Sequence, residues 1–211
     1  DRNRLALQAD LLGAAMLGVR NILGLTGDDP KSGDHPEAKP VFDINSGQLL
    51  QAARSLMQGQ DLAGKPLKGA PQFCIGAAAD PGAKDLEVEM QKFQAKIASG
   101  ARFFQTQAVF DPDALARFMA RAKPLGQPVL AGILLVKSAK QARYMNEHVW
   151  GIHVPEAIIA RLEGAADPRQ ACVAITTELV RQVRPMADGV HVYALGWEAL
   201  VPTIIKDAGL R

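Results

Sequence analysis

The hydrophobic positions of this chain fall into short continuous runs. Longer segments separate them, in which apolar residues recur every three or four positions. The runs Asn21 to Leu25, Phe73 to Ala79, Arg102 to Val109, Val129 to Val136 and Gly189 to Leu195 predict strands. Most of them do not alternate, which suits strands buried on both faces, as in a parallel sheet covered by helices. The segments Gln48 to Gln58, Asp85 to Ala98, Pro112 to Lys123, Ser138 to Glu147, Pro155 to Leu162, Pro168 to Arg184 and Trp197 to Ala208 predict helices. Leu86, Met90, Phe93 and Ile97 form one apolar stripe. Asp111 ahead of Pro112 is a good N-cap with proline at the first helical position. The opening DRNRLALQADLLGAAMLG reads as a helix already under way at Asp1.

Strand and helix in alternation mean βαβ units with right-handed crossovers. No G-x-G-x-x-G follows a strand and no phosphate-binding G-x-x-x-x-G-K-[ST] loop occurs, so an open doubly wound sheet lacks support. The last strand and helix resemble the closing unit of a barrel. The predicted fold is an α/β (β/α)8 TIM barrel, of which this chain carries about five of the eight strands. On that reading residues 1–211 are a single barrel domain holding strands 4 to 8, and three strands are expected ahead of Asp1. Two long irregular stretches, Thr26 to Ser46 and Asp61 to Pro71, follow predicted elements. Long loops in α/β proteins more often serve function than connection.

Composition narrows the function classes. The 211 residues are 48% hydrophobic and 22% charged, with a net charge of only +2. That gives no strong attraction to nucleic acid or membrane surfaces, and no apolar run is long enough to cross a bilayer. Cys74 and Cys172 both lie in regular segments and read as buried free thiols, which suits a cytoplasmic, reducing setting. His35, His148, His153 and His191 show no metal-ligand spacing, so no metal is expected, and the G-x-S-x-G of a serine hydrolase is absent.

Polar residues gather at the predicted strand ends: Thr26, Gly27 and Asp28; Ala79, Asp80 and Pro81; Gln105 and Gln107; Lys137, Ser138 and Gln141; Tyr193, Gly196 and Trp197. In a barrel these ends share the face on which active sites are built. Each has a plain structural reading as well. Asp28 is a turn former in Asp-Asp-Pro, Gln107 a buried amide satisfied by backbone, Gln141 a solvated helix residue. Glu89, Lys92 and Lys96 share one helix edge, as a surface ion-pair ladder or as a rail for ribose and phosphate.

The stretches NILGLTGDDPKSGDHPEAKPVFDINS, FCIGAAADPG, KIASGARFFQTQAVFD, GILLVKSAKQARYMN and GIHVPEAIIARL resemble, in order and interval, the methylenetetrahydrofolate reductase family. The resemblance implies a flavin-containing barrel that reduces methylenetetrahydrofolate to methyltetrahydrofolate with NADH or NADPH. It implies FAD, or FMN, as cofactor and a ping-pong cycle: nicotinamide gives hydride to flavin N5 and leaves, and the folate then takes the hydride. It assigns Asp28 a catalytic place at the flavin N1 and C2 carbonyl edge, where it would also meet substrate. It assigns Thr26, Gly27, Phe42, Asp43, Ala79, Glu89, Lys92 and Lys96 to the cofactor, and Gln107, Gln141, Met145 and Trp197 to the folate. The chain departs from the family pattern at Thr26 and Trp197, where arginine is found, at Met145, where an aromatic is found, and at Trp150, where proline is expected. The family's general acid, a glutamate on the first strand, would precede Asp1. Members form dimers and tetramers, so a homo-oligomer is among the expectations. Two other functions fit the same residues: a non-catalytic folate- or flavin-binding subunit, and another folate-dependent barrel enzyme such as a methyltransferase, which would need no flavin rail.

Overall fold

A computed structural model describes residues 2–149 and 151–210. Helix α1 (Arg4–Met16) leads into strand β1 (Asn21–Gly24). There follow α2 (Ser46–Met57), β2 (Cys74–Ala79), α3 (Leu86–Ala98), β3 (Phe103–Ala108), α4 (Pro112–Ala122), β4 (Val129–Leu134), α5 (Ala139–His148), α6 (Glu156–Glu163), α7 (Pro168–Val183), β5 (Gly189–Tyr193) and α8 (Val201–Asp207). The strands form one sheet in the order β1-β2-β3-β4-β5, with β1–β2 and β4–β5 paired in parallel. A doubly wound sheet reverses its strand order at a switch point. Parallel strands in chain order, alternating with helices, are instead part of a (β/α)8 barrel, as expected.

Local chemistry sets the helix starts. Asn45 accepts from Gln48 N while the Gln48 side chain accepts from Asn45 N, a reciprocal capping box. Asp111 and Asp167 cap α4 and α7 ahead of Pro112 and Pro168, whose missing N–H groups would have had no helical partner. Helix α1 was expected to be under way at Asp1. It begins at Arg4, because the Asn3 side chain accepts from Ala6 N and caps it.

The chain divides into two compact units. The first runs up to Ala78 and includes Gln91–Phe104. Its core holds Leu50, Leu56, Phe73, Ile75 and Phe93, with the Phe93 and Phe104 rings stacked at 3.8 Å. Gly76 lies under the Phe103 ring, where an added Cβ would come within 2.3 Å. The second unit comprises Ala79–Met90 and the residues from Gln105 onward. It buries Leu115 and Phe118 of α4 and Val129, Ile133 and Leu135, and packs Val136, Ala142, Met145, Ile158, Ile159 and Leu179 in one cluster. Each large side chain buried in this way contributes roughly 2–3 kcal/mol.

Three expectations need correction. Strands β1, β3 and β5 are not buried on both faces: β5 is half-buried throughout, β1 has one buried residue of four, and β3 buries only Phe104 and Thr106, whereas β2 and β4 are mostly buried. β1 and β5 are the outer strands of the sheet order, and β3 sets half-buried positions, among them Gln105 and Gln107, between its buried ones. Cys74, read as buried, is an exposed free thiol at the start of β2, while Cys172 is buried as expected. The segment predicted as one helix from Trp197 to Ala208 is a 3-10 turn over Glu198–Leu200 followed by α8. Trp150 lies outside the described residues.

Candidate functional site

In the first unit, residues from Leu25 to Asp29 are exposed beyond the end of β1. The turn chemistry of Asp-Asp-Pro falls to Asp29, not Asp28. The Asp29 side chain accepts from Lys31 N at 2.9 Å and caps the short turn Pro30–Ser32. Asp28 is thus left out of the turn, with its carboxylate in the solvent-facing strand-end segment beside Gly27. Thr26 Oγ1 accepts from Ser46 N at 3.1 Å, which ties the start of the long loop to the start of α2. Phe42, with a φ of 40°, is 46% exposed.

Asp43, assigned to the cofactor by resemblance, is held by Arg4. It accepts from the Arg4 backbone N–H at 2.8 Å and from Nε and Nη2 at 2.9 and 2.8 Å. These hydrogen bonds from Arg4 lower its pKa to about 2.

Two of the three charged residues on the edge of helix α3 engage the backbone. In the first unit, Lys96 Nζ donates to the Ala78 carbonyl at 2.6 Å, and Lys92 is exposed. In the second, Glu89 is only 6% exposed and accepts from Asp80 N at 2.9 Å. Ala79, at the end of β2, is buried. Glu89 reaches the backbone at Asp80 and Lys96 that at Ala78, on either side of Ala79.

The second unit ties its strand ends tightly. Thr106, 1% exposed, donates from Oγ1 to the Gln107 carbonyl at 2.7 Å and accepts from Gly132 N at 2.8 Å. The Tyr193 hydroxyl donates to the Thr106 carbonyl at 3.0 Å, and burial raises the pKa of this phenol. His191 packs edge-on to Tyr193 at 4.5 Å, and burial lowers its pKa. Gly132 is required in this arrangement, since a Cβ there would lie 2.4 Å from the Thr106 carbonyl oxygen. Gln105 and Gln107 flank Thr106 on the opposite face of β3 and are half-buried.

The predicted substrate residues divide. Gln141, read in isolation as solvated, is half-buried and works as a cap: its Oε1 accepts from Lys137 N at 2.8 Å, and its own N–H donates to Ser138 Oγ. The amide N–H2 is the part of Gln141 that this cap does not use. Met145 lies in the hydrophobic cluster with Ala142, Val154 and Ile159, as a core side chain. Trp197 is half-buried beneath two cations, Lys137 Nζ at 5.4 Å and Arg169 Cζ at 5.8 Å from the ring centroid. Such contacts are attractive through the ring quadrupole. A separate cavity of about 280 Å³ is lined by Asp80, Val109, Asp111, Arg117 and His153 and includes none of the predicted substrate residues. Among the described residues no His, Cys, Asp and Glu side chains converge as metal ligands, and no helix is long and apolar enough to cross a membrane.

Sequence reasoning placed Lys137 and Tyr193 at strand ends but gave them no role, and it missed Thr106 and Arg169. The alternation Gln105, Thr106, Gln107 is the signal for Thr106: two amides on one face put the threonine on the other. Arg169 carries no such signal, because its contact with Trp197 reaches from α7 to the segment after β5.

The chain can be set beside known proteins. The methylenetetrahydrofolate reductase family matches residues 1–209. Methylenetetrahydrofolate reductase 2 of Schizosaccharomyces pombe is 28% identical over 92% of this chain and 32% of its own length. A probable methylenetetrahydrofolate reductase (NADPH) of Caenorhabditis elegans is 24% identical over 93% of the chain and 29% of its own length. Methylenetetrahydrofolate reductase (NADH) 1 of Zea mays is 25% identical over 92% and 34%. The chain thus spans about a third of the length of these relatives. With a family match over almost every residue, the chain belongs to the methylenetetrahydrofolate reductase family.

Proposed function

We propose that this chain carries flavin- and folate-binding residues of an enzyme that reduces methylenetetrahydrofolate to methyltetrahydrofolate with NADH or NADPH. The observation that carries the reading is the family match over residues 1–209. Relatives named for NADPH and for NADH leave either nicotinamide as the reductant.

The donor set fits a flavin, FAD or FMN. Thr26, Gly27 and Asp28 are open at the end of β1, and the Lys92 and Lys96 ammonium groups suit phosphates. The Glu89 carboxylate suits a ribose hydroxyl. A bound flavin would supply hydride acceptance and donation at N5. Asp28 would lie at the N1 and C2 carbonyl edge of that flavin, where its carboxylate would disfavour negative charge and would favour positive charge on a bound folate. Gln107, half-buried on β3, offers an amide to the pterin, and the Gln141 amide N–H2 offers a second donor. Asp43 contacts the cofactor only if it also releases, or shares, Arg4. Met145 acts from the core, shaping the wall behind the folate rather than stacking on it.

The test is spectroscopic. The protein, loaded with flavin, is mixed anaerobically with NADH or NADPH, and methylenetetrahydrofolate is added afterwards. The reading expects the oxidised flavin band to bleach with one nicotinamide and to return with the folate. Absence of flavin binding, or no bleaching with either nicotinamide, would overturn it.

A further inference from the structure

Lys137 makes contacts in two directions. Its backbone N–H donates to Gln141 Oε1 at 2.8 Å, which fixes the glutamine side chain at the start of α5. Its side chain reaches the turn after β5, where Nζ donates to the Leu195 carbonyl and sits 5.4 Å from the centre of the Trp197 ring. That turn is one that an ordinary sequence avoids. Leu195 has a φ of 51° and Gly196 a φ of 86°, two successive residues in the left-handed region, and Leu195 is not a glycine. A left-handed leucine persists only when its surroundings hold it. Three bonds supply the hold: Trp197 N donating to the Ala194 carbonyl at 3.0 Å, which closes the turn, Lys137 on the Leu195 carbonyl, and the Glu198 carboxylate accepting from Gly196 N at 2.8 Å. Arg169 adds a second cation at the indole, 5.8 Å from its centre.

We propose that Lys137 is a positioning residue, joining the end of β4 to the turn after β5 and so setting Gln141 and Trp197 relative to each other. The proposal rests on the reductase reading, which gives both residues to the folate. Lys137 itself need not touch the substrate. The side-chain bond requires a long cationic donor, because a carbonyl and an indole face both attract positive charge. Lys137→Met keeps most of the length and apolar stem but loses the charge and the donor. Lys137→Arg keeps the charge.

In the flavin-loaded enzyme, Lys137→Met should raise KM for methylenetetrahydrofolate about tenfold while leaving flavin reduction by the nicotinamide at its original rate. Trp197 emission, read with Trp150 replaced by phenylalanine, should shift toward that of a solvated indole. Lys137→Arg should restore most of both signals. An unchanged KM and emission in Lys137→Met would overturn the proposal, as would equal losses in both half-reactions. The emission shift does not depend on turnover, so an enzyme that fails to bleach at all would sink the reductase reading while the indole still tests the tie. Should Lys137→Met fail to fold, Lys137→Gln provides the same two readouts with a neutral donor, and the same outcomes decide.

Discussion

At the end of β1, residues Leu25 to Asp29 are all exposed, and the turn is closed by Asp29 with Asp28 left out of it. At the ends of β3, β4 and β5 the polar groups are used by the protein itself: Thr106 on Gly132 and Gln107, Tyr193 on Thr106, Gln141 on Lys137, Lys137 on Leu195. The first region leaves a carboxylate free for chemistry and holds its loop by a few bonds at the neck. The second spends its hydrogen bonds on geometry, sets two cations at the Trp197 indole, and leaves over the Gln141 amide N–H2 and the Gln107 side chain. On the proposed reading this is a division of labour, in which the charge that would act on changing electron density stays unengaged while the groups that would recognise shape are locked in place.

Substitutions can break that contrast where it is strongest. Gly132→Ala puts a methyl group against two carbonyl oxygens, at 2.4 Å from Thr106 and 2.8 Å from Gln107, neither of which can rotate away. We expect a loss of about 3 kcal/mol in denaturant unfolding. Thr106→Val keeps the shape but strips Gly132 N of its acceptor at a buried site, for an expected loss of about 2 kcal/mol. If either variant unfolds like the parent, the second region is not the rigid frame described.

In the first region the effects are smaller and depend on pH. The Asp43 carboxyl is held at about 2, below its ordinary 3.8, chiefly by the hydrogen bonds from Arg4. A group whose folded pKa is depressed stabilises the fold above its unfolded pKa and loses that stabilisation as pH falls through the folded one. Melting temperatures should therefore fall between about pH 4 and about pH 2, and Asp43→Asn should flatten that part of the profile. An identical acid profile in the variant would show that the Arg4 contact does not hold the loop in solution.

How far the sequence foretold this differs from element to element. The runs of β2 and β4 were legible because both strands are apolar and buried over most of their length, while β3 alternates. The same logic overstated the burial of β1 and β5, since an apolar run does not say where its strand stands in the sheet. Cys74 was misread for a related reason: it lies in an apolar segment but begins its strand at an exposed position. At the candidate site, residue types and order were legible, but their engagements were not. Nothing in Asp-Asp-Pro says which aspartate closes the turn, and nothing in Glu89, Lys92 and Lys96 says that the glutamate is buried on a backbone N–H. The first is settled two residues away, by Lys31 N on Asp29, while the α3 engagements reach across nine residues for Glu89 and eighteen for Lys96. Arg4 with Asp43 and Arg169 with Trp197 are longer-range still.

Asp28 is where the account is most exposed, because it is given a large role in chemistry and almost none in folding. Asp28→Asn should leave unfolding within about 0.5 kcal/mol of the parent, as expected at an exposed position. The decisive measurement is anaerobic stopped-flow of that variant in both half-reactions. The account predicts that flavin reduction by NADH or NADPH keeps most of its rate while reoxidation by methylenetetrahydrofolate slows by about a hundredfold or more. Equal losses in the two half-reactions, or no loss in the second, would contradict it.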